Sequence, residues 1–200
     1  DRIFEAYKKL NIKEAFLIKP KKNYDIRGAF FRTFCEKELK NYGLNFKIRQ
    51  CNLSFNKKKY TFRGLHYSSN LHRENKILFV ANGSIENHML DLRKNSHTYL
   101  KKIRIKLDSS SNNLIYVPTG CANGFLTLKK DTLVHYYMDN FYNKKKLVYR
   151  GIRYNDPFFQ LNIKRTPVVI SKFDQSLDNF DVKKNWNDDF LVYEKKYFFI

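Results

Sequence analysis

Between residues 77 and 138 the chain is cut into short apolar runs by turn signals about every ten residues, a rhythm that leaves no room for long helical stripes. Residues 101–107 alternate strictly, with Ile103, Ile105 and Leu107 on one side and Lys102, Arg104 and Lys106 on the other, the period of a half-buried strand. Residues 77–81 and 85–92 flank Asn82-Gly83, a dipeptide that tolerates the positive φ of a tight turn, so a hairpin is expected there. Residues 114–117 read as a strand stopped by Pro118. Gly120 and Gly124 punctuate the path to a further strand at 125–128, and residues 132–138 supply another. The expected fold class is therefore all-β, a sandwich or barrel. Only residues 174–190 read as a helical or irregular extension.

Two hundred residues, 42% hydrophobic and 16% aromatic, suffice for one domain with a substantial core, and no low-complexity linker divides them. A single domain over residues 1–200 is the expectation. The net charge of +20, from 39 Lys+Arg less 19 Asp+Glu, raises the question of nucleic acid. The lysines fall in doublets and triplets along the whole length rather than in one arm, which fits a solvated surface and an anionic small substrate better. No apolar run approaches the roughly 18 residues that span a bilayer, so neither nucleic acid nor membrane is expected as a partner. Cys35, Cys51 and Cys121 form an odd set without CxxC spacing, which suits reduced thiols and a cytoplasmic location.

The most informative window is Phe62-Arg63-Gly64-Leu65-His66-Tyr67. On a regular strand Arg63 and His66 would face opposite ways, because side chains alternate with period two. A bulge at Gly64 would turn both into one cavity, a recurrent use of irregularity near active sites. The plainer reading is a strand with one buried, hydrogen-bonded histidine.

The chain resembles the dTDP-4-dehydrorhamnose 3,5-epimerases of the cupin superfamily over about residues 15–175. Matching motifs occur in order: Asp25-Ile26-Arg27-Gly28 with Phe30 and Phe31; Gln50-Cys51-Asn52; Arg63-Gly64-Leu65-His66-Tyr67; Glu74 with Lys76; Asp91-Leu92-Arg93; the run from Pro118 to Phe125; Tyr136; and the run from Arg150 to Pro157. The resemblance implies an antiparallel jelly-roll (cupin) barrel and an isomerase that needs neither metal nor redox cofactor. Its substrate would be a nucleoside-diphosphate 4-keto-6-deoxy sugar. The ketone acidifies the protons on C3 and C5, so a base can remove one and an acid return another from the opposite face. His66 matches the base, a role for which histidine side chains are suited. Asp174 matches its orienting carboxylate, Tyr136 the acid, and Lys76 the cation beside the developing enolate oxygen. Arg27, Gln50, Asn52 and Arg63 match positions that hold the nucleotide and its diphosphate, where arginine forks suit phosphate oxygens. The resemblance also implies a homodimer in which an N-terminal segment reaches across to the partner.

Metal binding is the competing cupin reading. It needs a pair such as HxH with a carboxylate, whereas His66 is followed two residues later by Ser68, and His72, His88, His97 and His135 have no such spacing; no metal is expected. The chain departs from the family pattern at Arg32 and Tyr149, where glutamates are usual, at Asn123, usually histidine, and at Phe173, usually lysine. Arg32, Asn123, Tyr149 and Phe173 are all expected to lie at substrate-binding positions, so the pocket looks altered while the base, acid and lysine are kept. The ordinary dTDP-4-keto-6-deoxyglucose is accordingly expected to be a poor substrate. The alternatives are a 4-keto sugar 3,4-ketoisomerase and a non-catalytic nucleotide-sugar-binding cupin.

Overall fold

The computed structural model describes residues 4–68, 72–144 and 149–183. Its first half contains β1 (Phe4–Lys9), β2 (Phe16–Pro20), β3 (Asn23–Asp25), β4 (Gly28–Phe30), α1 (Glu36–Asn41), β5 (Gln50–Asn56), β6 (Thr61–Ser68), β7 (Lys76–Asn82) and β8 (Ser84–Asp91). Then follow β9 (Lys102–Asp108), β10 (Leu114–Val117), β11 (Cys121–Thr127), β12 (Thr132–Met138), β13 (Tyr149–Gly151), β14 (Val169–Ile170) and α2 (Lys172–Gln175). Two sheets form the body. One has the order β1-β2-β10-β7-β12-β5, the other β13-β6-β11-β8-β9 with β14 laid parallel along β6. β3 and β4 make a separate two-stranded ribbon.

The sheets bury apolar side chains in three layers. Leu78, Val80, Ile85, Met89, Leu107, Phe125 and Val134 pack together from both sheets as the inter-sheet core. The outer face of the first sheet is covered by the segment around α1, with Leu39, Leu44 and Phe46 packed on Ile77, Phe79 and Tyr137. The outer face of the second is covered after β13 by Ile152, Phe159 and Leu161 on Phe62, Leu65 and Leu90. Each such side chain contributes roughly 1.5–3 kcal/mol. Six residues of α1 would not hold a helix alone. Leu39, 1% exposed, anchors it, with a Lys40–Glu36 pair at 2.9 Å on its open side.

The expected hairpin at Asn82-Gly83 is not one. β7 pairs with β10 and β12, whereas β8 pairs with β9 and β11 in the other sheet. Gly83 does take φ +89°, but the turn is a corner at which the chain leaves one sheet for the other. An Asn-Gly step reports a positive φ; it does not report whether the flanking strands pair, and sandwiches turn such corners routinely. Gly124 likewise lies inside β11 rather than before it. A side chain there would meet Arg63 O at 2.6 Å, because β11 and β6 approach closely.

That approach carries the irregularity expected at Gly64. Asn123 pairs with His66 and Phe125 with Arg63, so three steps along β6 oppose two along β11. The extra residue is a bulge. Gly64 takes φ +109°, and a Cβ there would stand 2.8 Å from Asn123 O and from Gly124 Cα, so only glycine fits. Phe62 and Leu65 consequently both pack in the outer layer. Arg63 and His66 both turn inward, on the face shared by Phe125 and Asn123.

The C-terminal extension is one helical turn, α2, followed by irregular chain to residue 183. The rest of the expected extension, residues 184–190, lies outside the described residues.

Candidate active site

Strand parity brings most of the expected residues to one space. On β12, Val134 and the partly buried Tyr136 belong to the inter-sheet core, while Tyr137 points outward. Asn52 of β5 is the cross-strand partner of Tyr136, and Gln50 that of Met138, so both amides lie on the same face. Lys76 is two residues from the inward Leu78 on β7 and rises from that face too. The second sheet answers with Arg63, His66 and Asn123, and with Tyr149, which pairs with Ser68 two residues beyond His66. His66 and Tyr136 thus oppose one another from the two sheets.

His66 Nε2 lies 2.6 Å from Asp174 Oδ1, while Asp174 Oδ2 accepts the Gly64 amide at 3.1 Å. Asp174 stands on α2, where its own amide donates to the capping Ser171 Oγ at 3.0 Å. Burial alone would raise the Asp174 pKa; the His66 hydrogen bond and charge, and then the Gly64 amide, outweigh it and hold the carboxyl below its ordinary value. An ionised carboxylate only accepts, so Nε2 carries the hydrogen and the imidazole lone pair falls on Nδ1. The imidazole is 39% exposed and the carboxylate 4%, which leaves the basic nitrogen within reach of a ligand.

Across the space, burial pushes the Tyr136 phenol above the ordinary tyrosine value; Arg63 opposes this, Glu74 adds to it, and Asn52 opposes it by hydrogen bonding. The group remains a proton donor at neutral pH. Arg63 is held from behind, its Nε donating to Asn56 Oδ1 at 2.7 Å. Gln50 Oε1 accepts the Tyr142 amide, and Asn52 Nδ2 meets Met138 Sδ at 3.0 Å.

Asn123 is committed within the protein. Its Nδ2 donates to Asn87 Oδ1 at 3.1 Å, and Asn87 Nδ2 donates back at 2.8 Å. Tyr149 donates to Glu74 Oε2 at 2.7 Å, and Lys76 Nζ lies 3.4 Å from Glu74 Oε1. Phe173 is 57% exposed, its ring 6.3 Å from that of His66.

Arg27 and Arg32 are not brought in. Arg27 sits at the turn of the β3–β4 ribbon, 86% exposed and paired with Asp25 at 2.6 Å, and Arg32 follows the ribbon, also exposed. Sequence reasoning missed Asn87 and gave Glu74 no role. The signal for Asn87 was its parity: it lies between Ile85 and Met89 on the inward side of β8, where an amide only 2% exposed must find a partner. Among the described residues no group of three or more His, Cys, Asp or Glu side chains is placed to hold a metal ion. No helix among them is long and apolar enough to cross a membrane.

The two sheets form a cupin-type jelly roll that presents a carboxylate-held imidazole from one sheet and a phenol from the other to its interior. The family model described as dTDP-4-dehydrorhamnose 3,5-epimerase matches residues 9–181. A dTDP-4-dehydrorhamnose 3,5-epimerase of Sinorhizobium fredii is 32% identical over 171 residues, which are 85% of this chain and 87% of that one. The crystal structure of the Bacillus anthracis enzyme of that name, with TDP and PPi bound, superposes with a TM-score of 0.83 at 30% identity, covering 88% of this chain and all of the other. A Legionella pneumophila dTDP-6-deoxy-D-glucose-3,5-epimerase, solved with dTDP-4-keto-L-rhamnose, gives 0.81 at 25% identity, covering 89% and 95%. The chain belongs to the dTDP-4-dehydrorhamnose 3,5-epimerase family and is an isomerase.

Proposed function

We infer that this enzyme inverts C3 and C5 of a dTDP-4-keto-6-deoxy sugar, with His66 as base and Tyr136 as acid. The observation that carries the reading is the pair of opposed groups: Nε2 held at 2.6 Å by Asp174 on one sheet, and a phenol kept protonated on the other. Nδ1 of His66 takes the proton from the carbon beside the ketone, and the electrons move onto the carbonyl oxygen as an enolate. Lys76 stabilises that oxygen, a contribution of about 10²-fold or more when the donor is preorganised. Tyr136 then delivers a proton to the other face of the same carbon. His66 ends with an extra proton and Tyr136 lacks one; exchange with water resets both before the second carbon reacts. Arg63, Gln50 and Asn52 lie on the same inner faces and supply donors for the nucleotide and its phosphates. Asn123 and Tyr149 are already bonded inside the protein, so they change the sugar side of the pocket without touching the base or the acid. dTDP-4-keto-6-deoxyglucose, expected to be a poor substrate of the altered pocket, should still be turned over slowly; purified protein that leaves its stereochemistry unchanged in a prolonged proton NMR time course would overturn this reading.

The dTDP-sugar relatives support a nucleotide-sugar ligand, and the β3–β4 ribbon supports a homodimer. Tyr24, Ile26 and Phe30 on that ribbon are 74%, 105% and 71% exposed. Apolar side chains so clustered on a projecting ribbon mark a contact surface. A second copy laid on it would bring Arg27 and Arg32 toward a neighbouring pocket, the place that the exposed ribbon leaves open. Light scattering is expected to give twice the 24.1 kDa of the chain, and Ile26→Asp to shift that mass toward the monomer. A monomer at micromolar concentration for the unsubstituted protein sinks the dimer.

A further inference from the structure

We propose that Glu74 is the positioning residue of this site: its buried carboxylate holds the Lys76 ammonium beside one oxygen and the Tyr149 hydroxyl on the other. This rests on the reading of Lys76 given above and deepens it. Glu74 precedes β7 by two residues, and its side chain is 0% exposed against 23% for that of Lys76. Oε2 accepts from Tyr149 at 2.7 Å, and His72 Nε2 stands 3.7 Å from the same oxygen. Oε1 accepts no hydrogen bond among the described residues, and Lys76 Nζ lies 3.4 Å from it. A carboxylate out of water is costly unless a charge and donors compensate it.

The length of the ion pair matters. Charge-assisted hydrogen bonds run to about 2.7–2.9 Å, so at 3.4 Å Lys76 balances the Glu74 charge while keeping its N–H groups available to another acceptor. The enolate oxygen is an acceptor of that kind. Lysine is a point charge on a flexible four-carbon stem, and without Glu74 the ammonium has no fixed reason to stay in the pocket. Tyr149 completes the arrangement. Burial, and then Glu74, push its phenol well above the ordinary tyrosine value, so its hydrogen stays and is spent on Glu74. Tyr142 stacks on its ring at 5.2 Å and 11°. Where the family resemblance expects a glutamate facing substrate, Tyr149 therefore acts on the lysine through Glu74.

Glu74→Gln keeps the shape and removes the charge. It is expected to lower kcat roughly 10- to 100-fold with KM changed by less than about threefold, because the interaction strengthens only as the enolate forms. In a Lys76→Met background the same substitution should cost under about threefold, since the two residues act as one unit. An equal factor in both backgrounds overturns the proposal, as does a Glu74→Gln protein with an unchanged kcat. A second readout needs no substrate. In the 15Nζ spectrum of lysine-labelled protein, the signal that disappears in Lys76→Met should move in Glu74→Gln; an unmoved signal overturns the proposal even if the unsubstituted enzyme proves inactive on dTDP sugars, an outcome that would count against the functional reading alone.

Discussion

His66→Asn is expected to lower kcat by about 10²–10⁴-fold, the usual worth of a general base, while dTDP binding changes little. Asparagine preserves a donor for Asp174 but has no nitrogen that takes a proton near neutral pH. Asp174 is only 4% exposed and also holds the Gly64 amide, so the bulge keeps its anchor in this variant. Both carbons should lose exchange together, because one base serves both. A loss of tenfold or less, measured by steady-state kinetics on folded protein, removes His66 from the role of base.

Tyr136→Phe should separate two activities that the unsubstituted enzyme couples. His66 still abstracts a proton and returns one to the same face, so exchange of substrate hydrogen with solvent persists while net inversion falls by about 10²-fold or more. Because burial raises the phenol above its usual value, loss of activity from Tyr136 ionisation should set in at higher pH than for an ordinary tyrosine. Equal losses of exchange and inversion in Tyr136→Phe contradict this division of labour.

The sequence carried local information well and pairing information poorly. The alternation of residues 101–107 became β9, with Leu107 buried and Lys102 and Lys106 exposed. The glycine in Arg63-Gly64-Leu65-His66 became the bulge that turns two polar side chains inward, which the spacing alone made necessary if both served one site. Asn82-Gly83 misled, since a positive φ is a property of one residue and strand partnership is a property of two segments. Strands β1, β2 and β5 and the covering helix α1 left no clear signal: in β5 the apolar Leu53 and Phe55 are the exposed side chains, and the six-residue α1 is held by what packs on it, through Leu39. The candidate site was legible as a set of motifs. Its internal commitments were not, because Asn87 with Asn123 and Glu74 with Tyr149 are contacts across 36 and 75 residues of chain.

The measurement closest to the central claim is solvent deuterium incorporation during incubation of the purified enzyme with dTDP-4-keto-6-deoxyglucose in D2O, read by NMR at each sugar carbon. A base on one sheet and an acid on the other predict deuterium at both C3 and C5, with inverted configuration, and nearly none in His66→Asn. A sugar recovered with its C3 and C5 hydrogens intact, from protein that still binds dTDP, would contradict the account.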